Sequence, residues 1–318
     1  MFVFSSPILI WIVLVAFIDP YNYLRNDLNN IENQSKLDIS AKINRPLFQL
    51  IGYKNHATPG ILLGDSRANS LKIDIIQNYS KNKFTNLAYG GGSLQEVINS
   101  FWLLSEDNTL KDVYIGINFS IYNQLYNRDR VTEAKSIMEN FFSYAFSTYT
   151  FESTYLILRS IITGKEIKIG IPDTSKEKFW IYQLDVSAKQ HYLKYEYPSN
   201  YFRDLVEISK YCNKHGINLV LFIPPTHTDL QNKVKEYNLQ NDEIKFKNDL
   251  KKIADLYDFD YPSELTMNKD NFRDPYHFTD SIGKIVVKEL FSCGTGKYVN
   301  FTKCTTYSKI IPNKTFCN

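Results

Sequence analysis

Two side chains 211 positions apart have the chemistry of a nucleophile and its base. Ser66 follows the apolar run Ile61-Leu62-Leu63 and the pair Gly64-Asp65, inside the stretch Pro59–Ser70. A short strand ending in Gly-Asp-Ser presents a hydroxyl at the carboxyl end of a sheet, where open α/β folds hold their ligands. Gly, Asp and Ser are also ordinary turn formers, so this motif gains weight only from what stands downstream. Asp274 and His277 lie three apart in Asn271–Asp280, on a proline-containing loop just ahead of the last helix. A carboxylate and an imidazole held by one loop form the orienting pair that a serine nucleophile needs.

The elements that must position these groups follow an α/β alternation. A helix is predicted over Asn69–Tyr79, a short strand over Phe84–Tyr89, then the turn Gly90-Gly91-Gly92-Ser93. Leu94, Val97, Ile98, Phe101 and Leu104 have helical spacing, with Ser93 as the N-cap. The three glycines allow close backbone approach and free N–H groups. They do not make a dinucleotide fingerprint, because Gln95 stands where its final glycine is required. Lys111–Phe119 reads as a third strand with Asn118 at its carboxyl end, either a turn residue or an amide aimed into a shared site.

Ser120–Pro198 breaks the pattern. Its Phe- and Tyr-rich stretch Glu133–Ile162 is helical in spacing, and the segment is too long for a connection, so it reads as an inserted helical cap. His191 falls inside it and reads as a surface residue. The alternation resumes with a helix over Asn200–His215 closed by Gly216, and a strand over Ile217–Ile223 stopped by Pro224-Pro225. His227 follows that strand end as a pocket-lining candidate. A helix over Glu243–Tyr257, a short strand at Phe259–Tyr261 and a helix over Asp280–Phe291 capped by Thr279 complete the pattern. The domain plan is residues 1–20 as an anchor, 21–58 as a stalk, 59–292 as the α/β domain with 119–198 inserted, and 293–318 as a tail.

A chain of 318 residues with 43% hydrophobic content can bury a sizeable core. Its 37 basic and 34 acidic residues leave a net charge of +3, too balanced for a nucleic-acid partner. The 23 Tyr and 21 Phe point to much amphipathic surface. Phe2–Ile18 is an uncharged apolar run of 17 residues ended by Asp19-Pro20, at the short limit of the roughly 17–25 residues that span a bilayer. With Tyr21 and Tyr23 placed for an interfacial belt, it reads as a single membrane anchor. A cleaved signal peptide lacks its basic start and small-residue cleavage site here, and a buried core helix is the other alternative.

Together these residues resemble the SGNH (GDSL-type) hydrolase superfamily, whose four blocks occur in the family's order. Gly64-Asp65-Ser66 matches the nucleophile block, Asn86–Gly92 the glycine block, Gly116-Ile117-Asn118 the Gly-x-Asn block, and Asp274-Pro-Tyr-His277 the last. The family's usual Asp after Asn is Phe119 here, and its commoner Leu after Ser is Arg67. The resemblance spans about Gly60–Phe291 with Ser120–Pro198 outside it. It implies a three-layer α/β/α flavodoxin-like fold with a mainly parallel sheet of about five strands, Ser66, Asp274 and His277 as a catalytic triad, and an oxyanion hole from Ser66, Gly91 and Asn118. Asp65, Arg67, Gly90 and His227 are further candidates for lining the pocket. With the anchor, the chain is similar to membrane-tethered acyltransferases and esterases of bacterial cell-surface polymers. That implies an acylated, chiefly acetylated, carbohydrate substrate, an extracytoplasmic catalytic domain, a membrane-bound acyl-donor protein as partner, and no cofactor. A catalytically silent scaffold that binds a glycan or an envelope-assembly partner is the competing expectation.

Cys212 sits in a predicted helix as a buried apolar residue. Cys293, Cys304 and Cys317 cluster near the end, where one disulfide among the three is expected with the pairing open. No Cys-x-x-Cys and no His pair at ligand spacing occurs, so no metal is expected.

Overall fold

A computed structural model describes residues 6–24, 33–106, 109–164, 175–292 and 295–305. The chain divides into two units, Met1–Ala57 with Arg130–Pro172, and Thr58–Asp129 with Asp173–Asn318.

The first unit begins with helices α1 (Ser6–Ile18), α2 (Asn33–Ile43) and α3 (Arg45–Asn55). The second starts with β1 (Gly60–Leu63), α4 (Ser66–Asn69), α5 (Ile73–Gln77), β2 (Phe84–Asn86), α6 (Leu94–Ser105) and β3 (Asp112–Gly116). Three helices, α7 (Arg130–Met138), α8 (Phe141–Ala145) and α9 (Thr148–Thr163), then complete the first unit. The remainder belongs to the second: α10 (Lys176–Tyr182), a π-helical stretch Gln183–Ser187, α11 (Ala188–Tyr192), α12 (Tyr201–His215), β4 (Asn218–Ile223), α13 (Thr228–Glu236) and α14 (Gln240–Ile253). It ends with β5 (Asp255–Asp258), α15 (Glu264–Met267), β6 (Phe272–Asp274), β7 (His277–Phe278), α16 (Asp280–Leu290) and β8 (Asn300–Thr302).

Local chemistry accounts for these elements. Ser93 Oγ accepts the Glu96 N–H while Glu96 Oε2 accepts the Ser93 N–H, a reciprocal cap that starts α6. Gly216, at φ +65°, closes α12 in the left-handed conformation that a side chain would resist. Every residue of β1 and β3 is buried, which is why β1 reads as an unbroken apolar run, whereas β3 begins with the buried Asp112. The six-stranded sheet runs β2-β1-β3-β4-β5-β8, with all neighbours parallel except β8, which lies antiparallel on β5. The order reverses between β1 and β3, and in doubly wound sheets that reversal opens a crevice at the carboxyl ends. An α/β unit with a mainly parallel sheet is thus as expected from the alternation, with one more strand.

Several boundaries differ from expectation. The stretch taken as a stalk holds α2 and α3, in which Leu47, Leu50 and Ile51 are buried. The expected insertion divides, its helices α7–α9 grouping with the N-terminal helices and α10–α11 with the α/β unit. The last parallel strand is Asp255–Asp258, not Phe259–Tyr261, so the expected helix over Glu243–Tyr257 ends early. The tail is not wholly irregular, because Asn300–Thr302 pairs with Leu256–Asp258 and buries Cys304 beside it. Cys212 is buried as expected; Cys293 and Cys317 lie outside the described residues. Among the described residues no helix is long and apolar enough to cross a membrane, and Phe2–Ser5 of the apolar run lie outside them.

Candidate functional site

The reversal of strand order puts the ends of β1 and β3 side by side, and each end leads into a polar side chain of the site. After β1 the backbone turns sharply at Gly64, at φ +149°. A Cβ there would stand 2.6 Å from Ala68 Cβ and 2.8 Å from the Gly116 carbonyl, so the turn fits only glycine. Asp65 then caps α4, its Oδ1 accepting the Arg67 N–H at 3.0 Å. Ser66 is the first residue of that helix and is half-buried. Its N–H has no hydrogen-bond partner among the described residues, as befits a first-turn donor.

The Asp-Pro-Tyr-His stretch is a β-hairpin rather than a loop. Asp274 and His277 are cross-strand partners, with Pro275 and Tyr276 as the turn. Asp274 Oδ1 accepts the N–H groups of Tyr276 and His277, which locks the carboxylate across the turn. His277 Nδ1 lies 2.8 Å from Asp274 Oδ2 and 3.0 Å from Oδ1. A carboxylate only accepts, so Nδ1 carries the proton and Nε2 is left as an acceptor. Nε2 is 2.7 Å from Ser66 Oγ, which therefore donates to it. Arg273 ties the hairpin to the serine turn, its Nη2 donating to Ser70 Oγ and its Nε to the Phe278 carbonyl. Lys72 and Asp280 pair across the same junction. Asp274 is buried, while the His277 side chain keeps 26% exposure, so the ring reaches solvent on one side.

Beneath the serine lies a buried polar network. Asp65 Oδ2 accepts from Arg67 Nε at 2.9 Å, from Arg67 Nη2 at 2.5 Å and from Asn118 Nδ2 at 2.8 Å. Asn118 Oδ1 in turn accepts from Ser120 Oγ and the Ile121 N–H, capping the turn after β3. Arg67 Nη2 also donates to Ser120 Oγ. None of these four residues is more than 4% exposed. Burial alone would push the Asp65 carboxyl up, but the Arg67 guanidinium and its hydrogen bonds outweigh it and hold the group below the usual carboxylate range. One N–H of the Asn118 amide is therefore committed to Asp65, and the other has no partner among the described residues.

The glycine turn approaches from β2. The Tyr89 N–H donates to the Gly64 carbonyl at 3.0 Å, and a Cβ on Gly92 would stand 3.4 Å from that same oxygen. Gly91 is exposed at φ +60°, with its carbonyl accepting from Tyr126 Oη at 2.9 Å. Gly90 is also exposed, and a Cβ on it would touch nothing.

Of the residues singled out from sequence, Ser66, Asp274 and His277 come together in one hydrogen-bonded chain, and Asp65, Arg67 and Asn118 lie against it. Asp65 and Arg67 are buried structural partners of one another rather than an open pocket wall. His227 differs more. Its Nδ1 caps α13 by accepting the Asp229 N–H, its ring packs on Trp180 and Phe272, and its N–H donates to the Pro275 carbonyl. It buttresses the hairpin from behind and is 5% exposed. His191, expected on the surface, is half-buried with its ring 5.0 Å from Tyr126 and 6.2 Å from Tyr276. Burial and the nearby Arg67 cation push it down to about 4. Ser120, Tyr126 and Tyr276 were not foreseen. Arg67 Cζ lies 5.5 Å from the Tyr276 ring centroid, and the Tyr276 hydroxyl is buried with no hydrogen-bond partner among the described residues. Tyr276 alone had a legible signal, its place between Asp274 and His277.

Compared with known proteins, the chain matches no protein-family model and no curated protein.

Proposed function

We propose that this chain is a serine esterase or O-acyltransferase of the SGNH type, acting on acyl esters, chiefly acetyl, of a cell-surface polysaccharide. The observation that carries this reading is the chain of hydrogen bonds from Asp274 through His277 to Ser66 at the reversal point of a parallel sheet. Ser66 Oγ attacks the ester carbonyl while His277 Nε2 takes its proton, and Asp274 holds the imidazole in the tautomer that can do so. The oxyanion is met by the N–H groups of Ser66 and Gly91 and by the Asn118 amide. As the tetrahedral intermediate collapses, His277 returns the proton to the departing sugar oxygen and the acyl group stays on Ser66. Water attack, with His277 again as base, gives the acid; attack by another sugar hydroxyl gives a transferred ester. The half-buried state of Ser66 and the partial exposure of His277 support access of a substrate to both.

In the same reading the run Phe2–Ile18 tethers the chain to a membrane, the α/β unit works outside the cytoplasm, and a membrane-bound protein supplies the acyl donor when the reaction is transfer. Turnover of an aryl acetate by the full chain tests the chemistry. Ser66→Ala and His277→Ala are expected to abolish it without loss of helical circular dichroism. Undiminished turnover in either variant leaves a non-catalytic scaffold as the account.

A further inference from the structure

We propose that the first unit contacts the lipid bilayer through a composite surface, formed by α1 together with the outer faces of α8 and α9, so that residues 141–163 are a second membrane-binding element. This rests on the reading of the N-terminal run as an anchor, and extends it to a segment with no sequence signature of a membrane helix.

Although Ile157, Leu156 and Leu158 of α9 pack in a cluster with Ile18 and Ile39, the rest of its polarity is reversed. Its inward face is Thr150, Ser153, Thr154 and Ile157, all buried, and three of the four carry hydroxyls. Its outward stripe is Phe151 at 60%, Tyr155 at 57% and Ile162 at 80% exposure, spaced four and seven apart on one side of the helix. A helix in water turns its apolar stripe inward and its polar residues out. The interior of the unit matches the inversion. Tyr21 Oη and Ser153 Oγ share a hydrogen bond of 2.9 Å, Tyr144 Oη donates to Asp19 Oδ1 at 3.0 Å, and Lys36 is fully buried.

On α1, Leu9, Ile10, Val13 and Phe17 are each at least 60% exposed, and the helix carries no charge anywhere around it. The two apolar surfaces join. The Trp11 ring lies 5.0 Å from that of Phe151 at a tilt of 40°, and its indole N–H donates to the Ala145 carbonyl at the end of α8. Phe142 and Phe146, more than half exposed, extend the patch along α8. Contiguous exposed apolar side chains of this kind mark a surface that meets something other than water.

Charge marks the water side. Glu152 and Arg159, both exposed and seven apart, run along α9 about a quarter turn from the Phe151 stripe, at the level of the head groups. Elsewhere in the unit, α2 and α3 expose Asp38, Lys42 and Arg45. An uncharged helix and an outward aromatic stripe fit hydrocarbon; a polar-rimmed protein interface would not need α1 to be apolar all round.

The test is nitroxide accessibility in the full chain, reconstituted in phosphatidylcholine vesicles, with the unsubstituted chain as background for its own cysteines. Spin labels at Phe151→Cys, Tyr155→Cys and Ile162→Cys report the proposed surface, Ile10→Cys and Val13→Cys report α1, and Lys42→Cys reports water. The expected result is several-fold greater collision with oxygen than with a nickel chelate at the α9 and α1 sites, and the reverse at Lys42. Lipid-like values on α1 with water-like values on α9 overturn the proposal and leave the anchor intact. Water-like values at both overturn both. Exclusion of both reagents from α9 means that protein covers it, and also overturns the proposal.

Discussion

Ser66 Oγ and His277 Nε2 stand 2.7 Å apart although 211 residues separate them, and nothing in the helices around them requires that contact. The geometry is costly to place by chance, because the hairpin pins Asp274 with two N–H groups and Asp274 pins the ring. With Asp274→Asn the hairpin keeps its shape but the amide can donate to Nδ1, so the wrong tautomer becomes available. Steady-state kinetics on an aryl acetate are then expected to show kcat lower by on the order of 10⁴ with KM little changed; a loss of less than tenfold would remove Asp274 from the mechanism. Arg67 presents the opposite problem, a cation sealed beside Ser66. Its function is to hold the Asp65 carboxylate ionised, and removing it leaves a buried charge unpaired at about 3–5 kcal/mol. His191 completes the surroundings. Its folded state binds protons less readily than the unfolded chain, so its contribution is present above the ordinary imidazole value of about 6.5 and fades as pH falls through about 4. Urea-unfolding midpoints across that window are expected to fall more steeply for the wild type than for His191→Phe; parallel slopes would mean that His191 does not contribute.

At the scale of elements, the serine turn depends on close approach. Gly64→Ala introduces a Cβ 2.6 Å from Ala68 Cβ at a backbone angle that side chains resist. It is expected to destabilise the fold by about 1–3 kcal/mol in thermal melts and to displace Ser66 from His277. An unchanged melting temperature would show that the turn relaxes freely. The polar residues of the site were legible from their places in the pattern: Ser66 and Asn118 sit where strands stop, and His277 stands three residues after Asp274 just ahead of α16. The hairpin was not, since its strands are three and two residues long and carry no alternation to read. His227 looked like a pocket residue because it follows the end of β4, but Pro224 and Pro225 turn the chain so that its ring faces Trp180 and Phe272. Ser120 escaped notice because its only distinction is spatial, a hydroxyl between the Asn118 amide and the Arg67 guanidinium.

For the whole molecule, the alternation of helix and strand was enough to read an α/β body with a mainly parallel sheet. It could not reveal that α7–α9, far along the chain, group with α1–α3, because a cap and a separate helical unit have the same local pattern. Nor could it find β8, three residues whose pairing with β5 is set by tertiary contact alone. Ser66, Asp274 and His277 lie wholly within the α/β unit, so the proposed chemistry is measurable on the detergent-solubilised full chain. The most direct test is fluorophosphonate labelling followed by peptide mass spectrometry. One adduct is predicted, on Ser66, absent from Ser66→Ala and formed far more slowly in His277→Ala. Equal labelling of all three proteins, or an adduct on another residue, would contradict the account.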